Sequence, residues 1–347
     1  MAGLLDQLDI ANNQVFLGHY DELIEWSRPM LDMFDAEQKV VDKPGREIKE
    51  TVHYKRLPGG SYQYYEPLNT DAVEQVSEVT ETWTQNYVTV SISEQEIIEN
   101  IGVNLDSLMG MSAIRDIGGE KATTLVNLLS DKMKTAPNDL AERRALILLS
   151  DGTYENAEVM NGLVNIIEDN TSDLHGKAVA AFGTDRRTAS SNFWASHIKD
   201  CSGEVLNFDH IKDIRWKVCS RGRIKTGKNG KAETIKAYCN ADVYGFLELV
   251  LQQQVQYKPG ENGEIGVPSI TWRGLEFIED TLVEDGDIWL INHRLLKSIK
   301  DPALMNHWGK WEKPVGQRAL TKQYLCREQM FTWDRHAHGM IKNFVVD

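Results

Sequence analysis

Alternation of apolar and polar positions marks residues 83–92 (Trp83 to Ile92) as a half-buried strand. Ser93-Glu94-Gln95-Glu96 then opens a helix, with Ser93 as its N-cap and Glu96 at the capping-box position. Farther on, apolar residues recur at steps of three and four through Ile114, Ile117, Leu125, Leu128, Leu129, Met133, Ala136, Leu140 and Ile147. That spacing predicts an unusually long amphipathic helix over residues 114–149. Pro137 lacks a backbone donor and is expected to kink or split it, and Asp151-Gly152 to stop it.

The segment before the strand has a different texture. Residues 51–57 and 61–65 are rich in β-formers and flank Pro58-Gly59-Gly60, which predicts a hairpin turning there, with a third run at 76–92. Charge crowds this region: Lys49, Glu50, Lys55, Arg56, Glu66, Asp71, Glu74, Glu78 and Glu81. A hairpin so polar is not expected to bury a face of its own, and an isolated hairpin is marginal in water. It is expected to lie across something else, as a polar arm does in a subunit that assembles.

Downstream, the pattern predicts helices over 208–214 and 241–254, and strands over 216–219 and 234–238 around a basic turn. Strands follow over 269–279 and 287–291 with the acidic turn Glu284-Asp285-Gly286 between them, and two more within 321–346, broken near 335–339. Residues 1–35 carry helical spacing (Leu4, Leu5, Leu8, Phe16, Leu23, Ile24, Trp26), and 36–44 reads as a charged linker.

Composition narrows the picture modestly. The 347 residues are 41% hydrophobic with a net charge of −14, enough for roughly two compact units at about 100–200 residues each. No run approaches the ~18 apolar residues of a membrane span, and no secretion signal is read at the acidic, amphipathic N-terminus. Cys201, Cys219, Cys239 and Cys326 form no CxxC pair and read as buried, reduced thiols of a cytosolic product. The acidic balance argues against coating DNA by charge neutralisation, though not against enclosing it.

Candidate chemistry is sparse. The stretch from Gly222 to Asn229 nearly spells a phosphate-binding loop, but Asn229 stands where the magnesium-binding hydroxyl belongs and Gly230 where a helix should begin. It reads instead as a solvated basic tip, whose Arg221, Arg223, Lys225, Lys228 and Lys231 form a candidate contact loop for nucleic acid or an acidic neighbour. Asp334-x-His336-x-His338 spaces three metal-ligating side chains, but it reads as a polar strand face or a bend at Gly339. No nucleophile elbow, HExxH or dinucleotide fingerprint occurs, so no catalytic residue, cofactor or metal is assigned. Nine tryptophans are many for this length, and some are expected at contacts between subunits.

The order of these elements resembles the major capsid protein of tailed double-stranded DNA bacteriophages, whose fold is shared with herpesvirus shells. The likeness runs from about residue 36 to the end. Residues 46–82 are similar to the extended loop, 86–97 to the strand leading into the spine helix, and 114–149 to the spine. Asn161-Gly162-Leu163-Val164, the segments 270–278 and 287–292, and the closing stretches 323–329 and 339–344 carry it further. The resemblance implies an α+β fold divided into an N-terminal arm (1–44), an extended hairpin loop (45–85), a peripheral domain with the spine (86–155), a central α/β axial domain (156–315) and return strands (316–347).

It also implies a non-enzymatic subunit that self-assembles as pentamers and hexamers into an icosahedral head enclosing double-stranded DNA. A separate scaffolding protein, a portal and a decoration protein are the implied partners, with no membrane, and the location is the virion capsid, assembled in the host cytoplasm. The loop tip (Lys55, Arg56, Pro58, Gly59, Gly60, Tyr62, Tyr64) is the expected inter-subunit contact. Some members cross-link through a loop lysine and a neighbour's asparagine. Lys55 stands near the right place, but the asparagine and activating acid have no match, so no covalent cross-link is expected. A tail or head–tail adaptor subunit and, remotely, a nucleotide-binding enzyme are the alternatives.

Overall fold

The structure is a computed structural model and describes residues 28–41, 45–54, 61, 76–110, 119–155, 157–168, 173–178, 194–221, 235–251 and 269–346. The chain divides into two compact units.

The first unit holds Gln85–Arg144 and Lys300–Glu328. Strand β4 (Thr84–Ser93) leads into helix α2 (Glu94–Ile101), α1 being Pro29–Ala36 of the other unit. The predicted capping box at Ser93 is present, with both reciprocal bonds made, and Gly102 closes α2 in the left-handed conformation at φ 72°. After α3 (Leu105–Gly110), helix α4 (Gly119–Leu148) runs 30 residues with Pro137 inside it, so of the expected kink or split the split does not occur. An interior proline costs about 3 kcal/mol. Here Leu125, Leu129, Met133, Ala136 and Leu140 bury one stripe on both sides of it, which holds the helix together. The same core takes Val90 and Ile92 of β4 and Leu320, Tyr324 and Cys326 of the long strand β14 (Ala319–Thr332). Strands β4 and β13 (His307–Trp308) both pair with β14. Lys322 is buried there with its ammonium 5.6 Å and 5.7 Å from the Trp308 and Trp311 rings.

The second unit holds Arg28–Thr84, Ala145–Ile299 and Gln329–Asp347. Its centre is a mixed six-stranded sheet in the order β7 (His197–Asp200), β15 (Gly339–Lys342), β11 (Ile288–Asn292), β8 (Ile235–Cys239), β10 (Leu275–Glu279), β9 (Ser269–Trp272). Both faces are covered, so the central strand β11 opens on a continuous apolar run, and all five of its residues are buried. Ala237, Cys239, Phe277, Ile288 and Leu290 face helices α5 (Phe208–Arg221) and α6 (Ala241–Leu251). Tyr238, Ile278, Trp289, Ile291 and Met340 face a second core with Phe34 of α1, the end of α4, and a π-helical turn at Val164–Glu168. Gly162 precedes that turn where a Cβ would run into the Ser150 carbonyl oxygen.

Residues 216–219, predicted as a strand, belong to α5 instead. Trp-Lys-Val-Cys has β-forming composition, but Ile211, Ile214 and Val218 bury at helical spacing while Trp216 stays exposed. The predicted helix at 241 is described as far as Leu251, and the break predicted near 335–339 is a 3₁₀ turn, Arg335–Ala337.

Candidate assembly site: the ribbon and its root

Strands β2 (Glu47–His53) and β3 (Val76–Thr82) form an antiparallel ribbon, in register from Glu47↔Thr82 to His53↔Val76. The structure therefore pairs residues 51–53 with 76–78, where the local sequence pattern predicts 61–65. In that pattern the β-rich run nearest the Gly-Gly signal outranks a more distant one. The tip residues Lys55, Arg56, Pro58, Gly59, Gly60, Tyr62 and Tyr64 lie outside the described residues. So do Arg223, Lys225, Lys228 and Lys231 of the basic loop; Arg221 ends α5.

The ribbon does bury a face within its own chain, contrary to expectation. Ile48, Val52 and Val79 join the second unit's core. That same face carries Glu50 and Glu81, and each carboxylate has a partner. Glu50 pairs with Lys39 and accepts a hydrogen bond from Trp333 Nε1 at 3.4 Å. Glu81 Oε2 lies 2.8 Å from Nδ1 of His175. Polar composition thus fails to predict exposure here, because the inward charges are matched rather than absent. The outward face is solvated and carries the exposed pair Lys49–Glu78 at 3.5 Å.

His175 is the root of the ribbon. It occupies a left-handed position (φ 52°) beside Gly176 (φ 68°), in a tight turn closed by reciprocal Leu174–Lys177 bonds of 3.0 Å. Its carbonyl accepts from the Thr80 N–H at 3.3 Å, and its ring stacks on Phe331 at 4.2 Å. The Thr332 N–H donates to Nε2 at 3.1 Å. A backbone donor on Nε2 leaves Nδ1 to carry the proton and donate to Glu81. Burial lowers the His175 pKa against the pull of Glu81, consistent with a neutral ring.

The Asp334–His338 segment is structural. Asp334 caps the 3₁₀ turn through the His336 N–H at 3.1 Å, and His336 Nδ1 donates to the Ala195 carbonyl at 2.9 Å. Asn292 N–H donates to His338 Nδ1 at 3.2 Å, so Nε2–H is left to donate to Thr332 Oγ1 at 3.1 Å. Burial, then Arg335, pushes His338 down to about 3. Arg335 is fully buried and donates to the Ile166 and Asn165 carbonyls at 2.9 and 3.2 Å. Among the described residues no cluster of three His, Cys, Asp or Glu is arranged to hold a metal ion.

In the first unit, Arg144 of α4 makes a bidentate pair with Glu328 of β14, Nε–Oε1 2.5 Å and Nη2–Oε2 2.8 Å, and Asn86 donates to Glu328 Oε1 at 3.3 Å. Both charged side chains are buried, at 5% and 1% exposure.

A polar ribbon, a 30-residue spine, a covered mixed sheet and a long return strand define the class: the chain has the α+β capsid fold of tailed bacteriophages. In particular, it is similar to the chain in the capsid asymmetric unit of cyanophage A-1(L), at 12% identity and TM-score 0.61, covering 92% of this chain and 93% of that one. The capsid of the native GTA particle matches at 11% identity and TM-score 0.53, over 91% of each chain. That of the empty GTA particle matches at 11% and 0.50, over 89% of this chain and 95% of that one. No protein-family model matches the sequence, and no curated protein does.

Proposed function

We propose that this chain is the structural shell subunit of a tailed-phage head, self-assembling as pentamers and hexamers into an icosahedral particle that encloses double-stranded DNA. The observation that carries the reading is the likeness to a cyanophage capsid chain over 92% of the length at 12% identity. Likeness so extended at such low identity rests on the order of elements, not on a local motif. In this reading the arm, extended loop, peripheral domain, axial domain and return strands divide the chain as proposed from sequence. The ribbon is the base of the extended loop, rooted by His175 and the paired Glu50 and Glu81, and the loop beyond it reaches a neighbouring subunit. The role is structural rather than enzymatic. A net charge of −14 lets packaged DNA move over the shell without tight phosphate pairing. Scaffolding, portal and decoration proteins are proposed partners, and the virion, assembled in the host cytoplasm, the location.

Electron microscopy of the purified, expressed chain tests this. Closed shells are expected; rings or tubes of one size would indicate a tail or adaptor subunit instead. Deleting residues 55–66 should leave a soluble subunit that closes no shell.

A further inference from the structure

A further polar cluster lies at the end of β7 in the second unit. Cys201 follows β7 in a tight turn whose Ser202 and Gly203 adopt φ 50° and 86°. His210 stands in the first turn of α5. Cys201 Sγ is 3.4 Å from His210 Nδ1, and Glu204 Oε2 is 3.5 Å from Nε2 of the same ring. A carboxylate facing Nε2 favours the proton there and turns the Nδ1 lone pair to the thiol. Thiol, imidazole and carboxylate thus stand in the order that activates a sulfur nucleophile by general base.

The surroundings select the substrate. Cys201 N–H donates to the Lys342 carbonyl at 2.9 Å, Ser202 N–H to Asp200 Oδ1 at 2.8 Å, Gly203 N–H to the Asn343 carbonyl at 2.6 Å and Glu204 N–H to the Cys201 carbonyl at 2.8 Å. These donors are committed, so the turn offers no oxyanion hole and acyl transfer has no support. Cys201 is 2% exposed, yet the side chains beside it, His210 and Glu204, are 16% and 70% exposed, so the thiol is shallow. So shallow a thiol with so little exposed surface selects a small electrophile over a bulky one.

We propose that Cys201 is a peroxide-reactive thiol, with His210 as its base and Glu204 positioning the imidazole. The sulfur attacks one peroxide oxygen; the S–O bond forms as the O–O bond breaks. The thiol proton passes to His210 Nδ1 and on to the departing hydroxide, which leaves as water. Sulfur loses two electrons, the peroxide gains them, and the product is a sulfenic acid. Burial raises the thiol pKa, so the resting sulfur is protonated and depends on this base. The inference stands apart from the shell reading.

The test treats the full-length protein with hydrogen peroxide, traps sulfenic acid with dimedone and reads each cysteine by mass spectrometry. Cys201 should be tagged before Cys219, although Cys219 is the more exposed. His210→Asn should slow tagging at Cys201 about tenfold or more and leave Cys219 unchanged. Glu204→Gln should slow it less and shift its pH dependence. Tagging that follows exposure, with Cys219 first, overturns the proposal, as does an unchanged Cys201 rate in His210→Asn. If His210→Asn unfolds the chain, deeply buried Cys239 and Cys326 become tagged as well; Glu204→Gln then decides, and an unchanged rate and pH profile overturns the proposal.

Discussion

The two units bury polar side chains by different means. In the first, Arg144 meets Glu328 through two bonds, so a cation and an anion are buried together. In the second, Arg335 is given two backbone carbonyls, and the histidines near it are kept neutral by backbone donors and by burial. The first arrangement depends on both partners keeping their charge. The second depends on imidazoles staying uncharged, and Arg335 itself helps hold His338 and His175 down. One unit is therefore sensitive to deleting a charge and the other to adding one.

Deleting the charge gives the largest expected effect. Glu328→Gln leaves Arg144 buried without its counter-ion and should cost about 3–5 kcal/mol, read as a shift of the urea midpoint. Replacing both residues together by Met and Leu should restore most of that, because an apolar pair of similar volume avoids the desolvation cost. A double variant as unstable as Glu328→Gln would break the comparison on this side.

Adding charge comes next. Burial, then Lys236, His338 and Lys297, pushes His293 down to about 3, and His338 falls to about 3 as well. Each folded pKa lies below the unfolded value near 6.5, so as pH falls the unfolded chain takes up the proton first. Their contribution is complete above about pH 6.5 and is lost progressively toward about pH 3, at roughly 1.4 kcal/mol per pH unit for each histidine. By pH 5 the two together remove about 4 kcal/mol. Asp287 opposes them: burial raises it to about 6, so the folded state binds that proton first and gains as pH falls from about 6 to 4. Its partial exposure makes that gain the smaller one. Hydrogen exchange between pH 7 and 5 should show β8, β11 and β15 losing protection before α4 and β4. Simultaneous loss in both units would erase the distinction.

Much of this architecture was legible in the chain. The capping box at Ser93 reports a helix start through its own hydrogen bonds, and the long apolar stripe of α4 and the hydrophobic run of β11 report burial directly, because one periodicity dictates one environment. The ribbon was legible as strand and as polar, but not as buried. Glu50 and Glu81 are inward because Lys39, Trp333 and His175, up to 283 positions away along the chain, come to meet them. No local pattern carries such a partner. His175 itself gave no signal, since only its neighbour Gly176 hints at a tight turn. Residues 216–219 misled, and α4 is not split at Pro137, for the same reason: tertiary burial of Val218, Met133 and Leu140 overrode a local preference.

The smallest effect sharpens the comparison most, because it applies the same substitution to both units. Glu81→Gln keeps an amide oxygen for the His175 Nδ1–H, which a neutral ring can still use. If the imidazole is neutral, the change exchanges one hydrogen-bond acceptor for another and should cost only about 1 kcal/mol, against about 3–5 kcal/mol for Glu328→Gln. A cost for Glu81→Gln equal to that of Glu328→Gln would mean that His175 is charged, and that the ribbon is rooted by an ion pair. In that case raising the pH from 6 to 8 would loosen the ribbon in the unmodified protein, while a neutral anchor holds across that range. The NMR shifts of the His175 ring nitrogens over the same titration distinguish the two.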